Sequence, residues 1–138
     1  MSTRTIVDTG PLVAFFNRRD AHHDWAADQF KRLKVPWLTC ESVLSETCFL
    51  LKSMGVAPEL ALEAVERGAV KPCFLLADEI AAVHRLMRRY AKASLADACL
   101  VRMSELYPDC QVLTLDRDFL IYRRDGRRVI PLIAPFHG

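Results

Sequence analysis

No stretch of this chain approaches the ~18–20 consecutive apolar residues that a membrane span requires. The first acid, Asp8, arrives too early for the apolar core of a signal peptide, so the expected location is the cytoplasm. Internal repeats, linkers and low-complexity segments are absent. The five cysteines (Cys40, Cys48, Cys73, Cys99, Cys110) are odd in number and lack CxxC spacing. That disfavours both a zinc site and a disulfide framework, and their apolar contexts suit small core residues. Histidine is also scarce, with only His22, His23, His84 and His137, and none shares a motif with an acid. Lys and Arg number 19 against 17 Asp and Glu, a balance too even to name a partner.

What is present is a chain of 138 residues, 51% of them hydrophobic, which is enough for one globular domain spanning residues 1–138. Apolar strands alternate with amphipathic helical patterns, which argues for βαβ units and a mostly parallel sheet. The pattern predicts strands over Arg4–Asp8, Val35–Cys40, Val70–Leu76, Cys110–Asp116 and Val129–Ile133. Between them it predicts helices over Pro11–Phe16, His23–Leu33, Glu41–Met54, Pro58–Arg67, Asp78–Lys92 and Ser94–Tyr107. Within Asp78–Lys92 the spacing turns Ile80, Val83, Leu86 and Met87 inward, and Arg85, Arg88, Arg89 and Lys92 outward.

Four acids fall where such a fold would bring them together. Asp8 and Asp116 each close a strand, and the carboxyl ends of parallel strands face the crevice where open α/β sheets bind ligands. Glu46 and Asp97 lie on the helices between them. Each also has a plainer explanation. Asp8 fits a helix N-cap, Glu46 a solvent-facing position, and Asp97 the third helical position of a Ser94 capping box. Asp116 or Asp118 fits the cap of a short turn over Arg117–Tyr122. Two acids plus the Thr114 hydroxyl at one strand end exceed what a cap needs. Asp116 is therefore taken as the inward residue and Asp118 as a secondary candidate. Glu41 competes with Glu46, but it sits at a helix start, where the dipole accounts for it.

The order of motifs resembles the PIN-domain nucleases, above all the small VapC-type toxins of prokaryotic toxin–antitoxin modules. The segments carrying the likeness are Ile6-Val7-Asp8-Thr9-Gly10-Pro11-Leu12, Ser45-Glu46, Ser94-Leu95-Ala96-Asp97-Ala98 and Thr114 to Phe119. The resemblance implies a three-layer α/β/α sandwich around a parallel sheet of four to five strands. It implies metal-binding and catalytic roles for Asp8, Glu46, Asp97 and Asp116, with Thr114 in support. It further implies an RNA substrate, a cognate antitoxin and a homodimer, with Phe15, Phe16, Trp25 and Trp37 as candidates for those surfaces, although core burial is the default for each.

The residues suit that chemistry. Hard oxygen ligands without His or Cys are what Mg²⁺ or Mn²⁺ prefers, and such ions activate water against a phosphodiester. Unit charges about 5 Å apart at an effective dielectric of about 20 repel by roughly 3 kcal/mol, so gathered carboxylates call for a cation or a shared proton. With four acids set aside in one site, the remaining groups sum to +6, a mildly basic exterior suited to a polyanion. Arg123 and Arg124, just after Asp116, are the expected contacts to the RNA backbone. The competing expectation is a PIN-like module that binds RNA or protein without turnover. A receiver domain fits less well, because Asp8 has no acidic neighbour and the Cys73–Leu76 segment carries no acceptor Asp. An aspartic protease, suggested by Asp8-Thr9-Gly10, is all-β and fits least.

Overall fold

The computed structural model describes residues 3–136. In chain order the elements are β1 (Arg4–Val7), α1 (Thr9–Phe16), α2 (His23–Arg32), β2 (Trp37–Thr39), α3 (Glu41–Ser53) and α4 (Glu59–Glu66). Next come β3 (Val70–Pro72), α5 (Leu76–Arg89), α6 (Leu95–Leu106) and β4 (Cys110–Leu113). A 3-10 turn (Arg117–Leu120), β5 (Arg123–Arg124), β6 (Arg128–Val129) and β7 (Leu132–Ile133) complete the chain.

Five strands form one sheet in the order β3-β2-β1-β4-β7, and every pairing in it is parallel. β1 is central, and Ile6, Val7, Val112 and Leu113 on β1 and β4 have no exposed surface. Strands this apolar are what a parallel sheet covered by helices on its faces requires. α6 packs on β1 and β4 and against α5, while α1 packs on α2 and α3. This is the α/β fold expected, with helices flanking a five-stranded parallel sheet. No helix among the described residues is long and apolar enough to cross a membrane. All five cysteines are free, and Cys40, Cys99 and Cys110 are buried.

The strand order reverses at β1. The chain builds outward from β1 through β2 to β3, then returns to add β4 on β1's other flank. The carboxyl ends of β1 and β4 therefore border the crevice that opens where connections leave in opposite directions.

Several boundaries differ from the sequence pattern, each for a physical reason. β2 begins at Trp37, because Pro36 has no N–H to give the ladder, and ends before Cys40, the N-cap of α3. β3 stops at Pro72, a residue tolerated because β3 is a sheet edge. Val129 pairs with Arg123 in an antiparallel β5–β6 hairpin, so β7 enters the sheet only at Leu132. Its turn carries Asp125 and Gly126 at φ of 53° and 82°, the Asp-Gly chemistry that hairpin turns favour.

The inward face of α5 is also rotated from expectation. Ala82 and Val83 are buried, whereas Ile80 and Met87 are 54% and 38% exposed. Glu79, on the side of α5 turned toward α6, makes a partly buried ion pair with Arg102 at 2.7 Å. Trp37, weighed above as a surface residue, is fully buried and stacks on Phe30 at 3.4 Å between ring centres.

Candidate active site

Asp8 follows β1 and caps α1. Its Oδ1 accepts the Thr9 N–H at 2.7 Å, and its Oδ2 accepts the Thr114 hydroxyl at 2.7 Å. Thr114, wholly buried beyond the end of β4, also accepts the Asp116 N–H at 2.9 Å. One hydroxyl thus ties the acid after β1 to the backbone of the acid after β4. Asp116 Oδ1 accepts the Asp118 N–H at 2.8 Å and caps the 3-10 turn.

Asp97 is the acid of a complete capping box. Its N–H donates to Ser94 Oγ, and its Oδ2 accepts the Ser94 N–H. The same Oδ2 accepts the Tyr122 hydroxyl at 2.9 Å. Glu46, on the exposed side of α3, takes the Thr9 hydroxyl on Oε1 at 2.9 Å. Each carboxylate therefore has an anchoring hydrogen bond. Glu46 Oε2, Asp97 Oδ1 and Asp116 Oδ2 have no protein donor among the described residues.

All four acids line one cleft of about 1120 Å³, together with Thr9, Gly10, Ser45, Phe49, Leu50, Lys92, Ser94, Leu115, Arg117 and Asp118. Gly10 lets α1 start close to β4's extension, since a Cβ there would stand 3.2 Å from Leu115 Cβ. Residues 5–125 match the family model of the PIN domain.

The chain belongs to the PIN-domain family.

Among solved structures it is similar to Mycobacterium tuberculosis VapC20, whose crystal structure is described as that of a sarcin-ricin loop cleaving toxin. The two share 25% identity and superpose with a TM-score of 0.74 over 90% of this chain and 98% of that one. No curated protein sequence matches it.

Electrostatics in this PIN domain follow from burial. The Asp8 carboxyl is pushed up from 3.8 to about 7, chiefly by burial. Hydrogen bonds from Thr114 and Thr9 oppose that rise, and the charges of Asp97 and Asp116 add to it. Asp97 is also raised, first by burial and with a contribution from Asp116, against the hydrogen bonds of Tyr122 and Ser94. Burial and the Asp97 contact hold the Tyr122 hydroxyl well above its ordinary value, so it stays a donor.

Among the described residues no three His, Cys, Asp or Glu side chains are gathered tightly enough to grip an ion as they stand. Each acid is instead held by its own hydrogen bonds, Asp8 by Thr9 and Thr114, Glu46 by Thr9, Asp97 by Ser94 and Tyr122, and Asp116 by Asp118. Their donor chemistry nonetheless fits a hard divalent cation: carboxylates around one cleft, three with an oxygen lacking a protein donor, and Asp8 buried at a cost that a cation would offset.

The two arginines expected on RNA are otherwise engaged, which corrects that reading. Arg124 is 6% exposed, and its Nη1 donates to the carbonyls of Ser104 and Pro108 at the end of α6. Arg123 Nη1 donates to the carbonyls of Leu120, Ile121 and Tyr122, closing the 3-10 turn. Neither lines the cleft. Sequence proximity to Asp116 misled because backbone carbonyls at a helix end compete for a guanidinium as well as phosphate does. Arg124→Ala should lower stability by about 2–3 kcal/mol, since two carbonyls lose a charged donor. A urea melt checks this, and an unchanged midpoint would contradict the structural role.

Sequence reasoning missed Thr9, Tyr122 and Phe49. Thr9 was available from its place directly after Asp8. Tyr122 was not, because its hydroxyl reaches Asp97 only through the tertiary fold. His22, His23 and His84 lie away from the cleft, His23 Nδ1 bonding the Ala14 carbonyl, and His137 is outside the described residues.

Proposed function

We propose that this PIN-domain protein is a metal-dependent endoribonuclease, the toxin of a VapC-type toxin–antitoxin pair, with Asp8, Glu46, Asp97 and Asp116 as its metal-holding and catalytic acids. The observation that carries the reading is four acids from four separate segments lining one cleft at the strand-order reversal of a PIN fold. The likeness to a sarcin-ricin loop cleaving toxin supports it and makes that loop the first RNA to assay. A cognate antitoxin, a homodimer and a cytoplasmic location belong to the same proposal.

Asp8, Asp97, Asp116 and Glu46 would hold Mg²⁺ or Mn²⁺, which activates water and neutralises charge on the scissile phosphate. The chain's own contribution is orientation. Thr114 ties Asp8 to the Asp116 backbone, Tyr122 and Ser94 fix one oxygen of Asp97, and Thr9 fixes one oxygen of Glu46. Each contact leaves the carboxylate plane defined before a ligand arrives, which is where preorganised sites gain rate.

Purified protein incubated with total cellular RNA should cleave it with Mg²⁺, and neither with EDTA nor as Asp97→Asn. RNA bound but never cut under all conditions would instead support a binding module, the reading favoured by carboxylates that do not converge. Tyr122→Phe should weaken Mn²⁺ binding about tenfold while the melting temperature moves little. Titration followed by Mn²⁺ electron paramagnetic resonance reads this directly.

A further inference from the structure

The cleft is lined by two unlike sets of side chains. One comes from α3, whose buried stripe is Val43, Thr47 and Leu51, all without exposed surface. Ser45, Glu46 and Phe49 lie off that stripe and line the cleft, one turn of helix separating Phe49 from the two residues before it. The Phe49 ring is 72% exposed, more than any other large hydrophobic residue described, and it makes no ring contact among the described residues. The rest of the lining includes two exposed cations. Lys92 lies in the loop before α6, and Arg117 opens the 3-10 turn with its guanidinium 4.8 Å from the Phe136 ring centre. Neither Lys92 nor Arg117 is in an ion pair among the described residues. The four acids line the same cleft.

We infer that this cleft takes an unpaired RNA segment in a fixed orientation, one nucleobase stacked on Phe49 and the sugar-phosphate backbone against Lys92 and Arg117. The inference rests on the nuclease reading and deepens it by assigning Phe49, Lys92 and Arg117 as the residues that hold the strand. Single strands are held by this combination, an aromatic face for a base and cations for the phosphates, whereas a duplex keeps its bases stacked and offers none to Phe49. An apolar protein segment fits less well, since the lining also presents Lys92, Ser94 and Arg117 beside the acids. The asymmetry also separates two roles. Phe49 selects unpaired sites, and the cations hold any strand regardless of sequence.

The test measures binding by fluorescence anisotropy, using a labelled, unstructured oligoribonucleotide of about 12 nucleotides. Asp97→Asn with Mg²⁺ serves as the non-cleaving background. Phe49→Ala should weaken binding about tenfold or more, Phe49→Leu should behave like Phe49→Ala, and Phe49→Trp should bind like the parent. Because the ring is exposed, all three variants should melt with the parent. An oligonucleotide series with one abasic residue should contain a position that costs the parent the same factor and costs Phe49→Ala nothing further. Lys92→Glu and Arg117→Glu should each flatten the salt dependence by about one counterion.

Phe49→Leu binding as tightly as the parent would overturn the stacking role. Unchanged RNA binding by Phe49→Ala with weakened antitoxin binding would assign the ring to a protein partner instead, which also overturns it. Failure of the nuclease reading looks different: the parent protein would leave all RNA intact with Mg²⁺, whatever residue stands at position 49.

Discussion

Metal-free protein is expected to lose roughly 2 kcal/mol of stability between about pH 5.5 and about pH 8 through Asp8 alone, a drop of about 6 °C in melting temperature. An unfolded chain releases this proton near 3.8, and the folded chain holds it until about 7. The stability gained from the retained proton is therefore complete below 3.8 and is lost as pH rises through 7. Burial is the main cause, so removing the charge removes the effect. Asp8→Asn keeps a residue suited to the N-cap of α1 and should show a flatter pH profile. Adding Mg²⁺ or Mn²⁺ at about pH 8 should restore stability to the parent by mass action and do less for Asp8→Asn. Parallel melting curves for the two proteins across this range, with and without metal, would sink the shared-site account.

The second large effect concerns rate. Asp8→Asn, Asp97→Asn and Asp116→Asn should each lower kcat/KM for RNA cleavage by on the order of a thousandfold, the scale expected when a charge-stabilising group leaves a preorganised site. Asp118→Asn should cost about tenfold or less. Both Asp116 and Asp118 line the cleft, but only Asp116 is joined through its backbone and Thr114 to Asp8. Asn at position 97 can still accept the Ser94 N–H and the Tyr122 hydroxyl, so the loss should appear without a matching loss of fold. Equal losses for Asp116→Asn and Asp118→Asn, measured on purified protein at saturating Mg²⁺, would reassign the inward acid.

The parts of the molecule legible in the sequence were those set by local pattern. Ile6-Val7 and Val112-Leu113 belong to short apolar runs of the kind that form strands buried on both faces, and an acid just past such a strand falls at the crevice. The Ser94 and Asp97 capping box could be read from spacing and is present as read. What the pattern could not give were contacts that depend on a second element. The phase of α5 depends on how it packs against α6, where Glu79 meets Arg102 and Ala82 and Val83 are buried, so Ile80 and Met87 were turned the wrong way. Arg124 reads as a surface cation until the end of α6 arrives to take its guanidinium. The same holds for Phe49, which has the composition of a core residue and the position of a rim residue.

The hydroxyl of Thr114 and the carboxylate of Asp8 meet across 106 positions of sequence. A ribosome that has translated only as far as Tyr107 carries a nascent chain with Asp8, Glu46 and Asp97 already made, but with no β4 to lie beside β1 and no Thr114 or Asp116. On the proposed function, such a chain has no completed cleft with which to cut RNA. On that reading, completion of the site is postponed by topology until the strand beside β1 has been synthesised and paired.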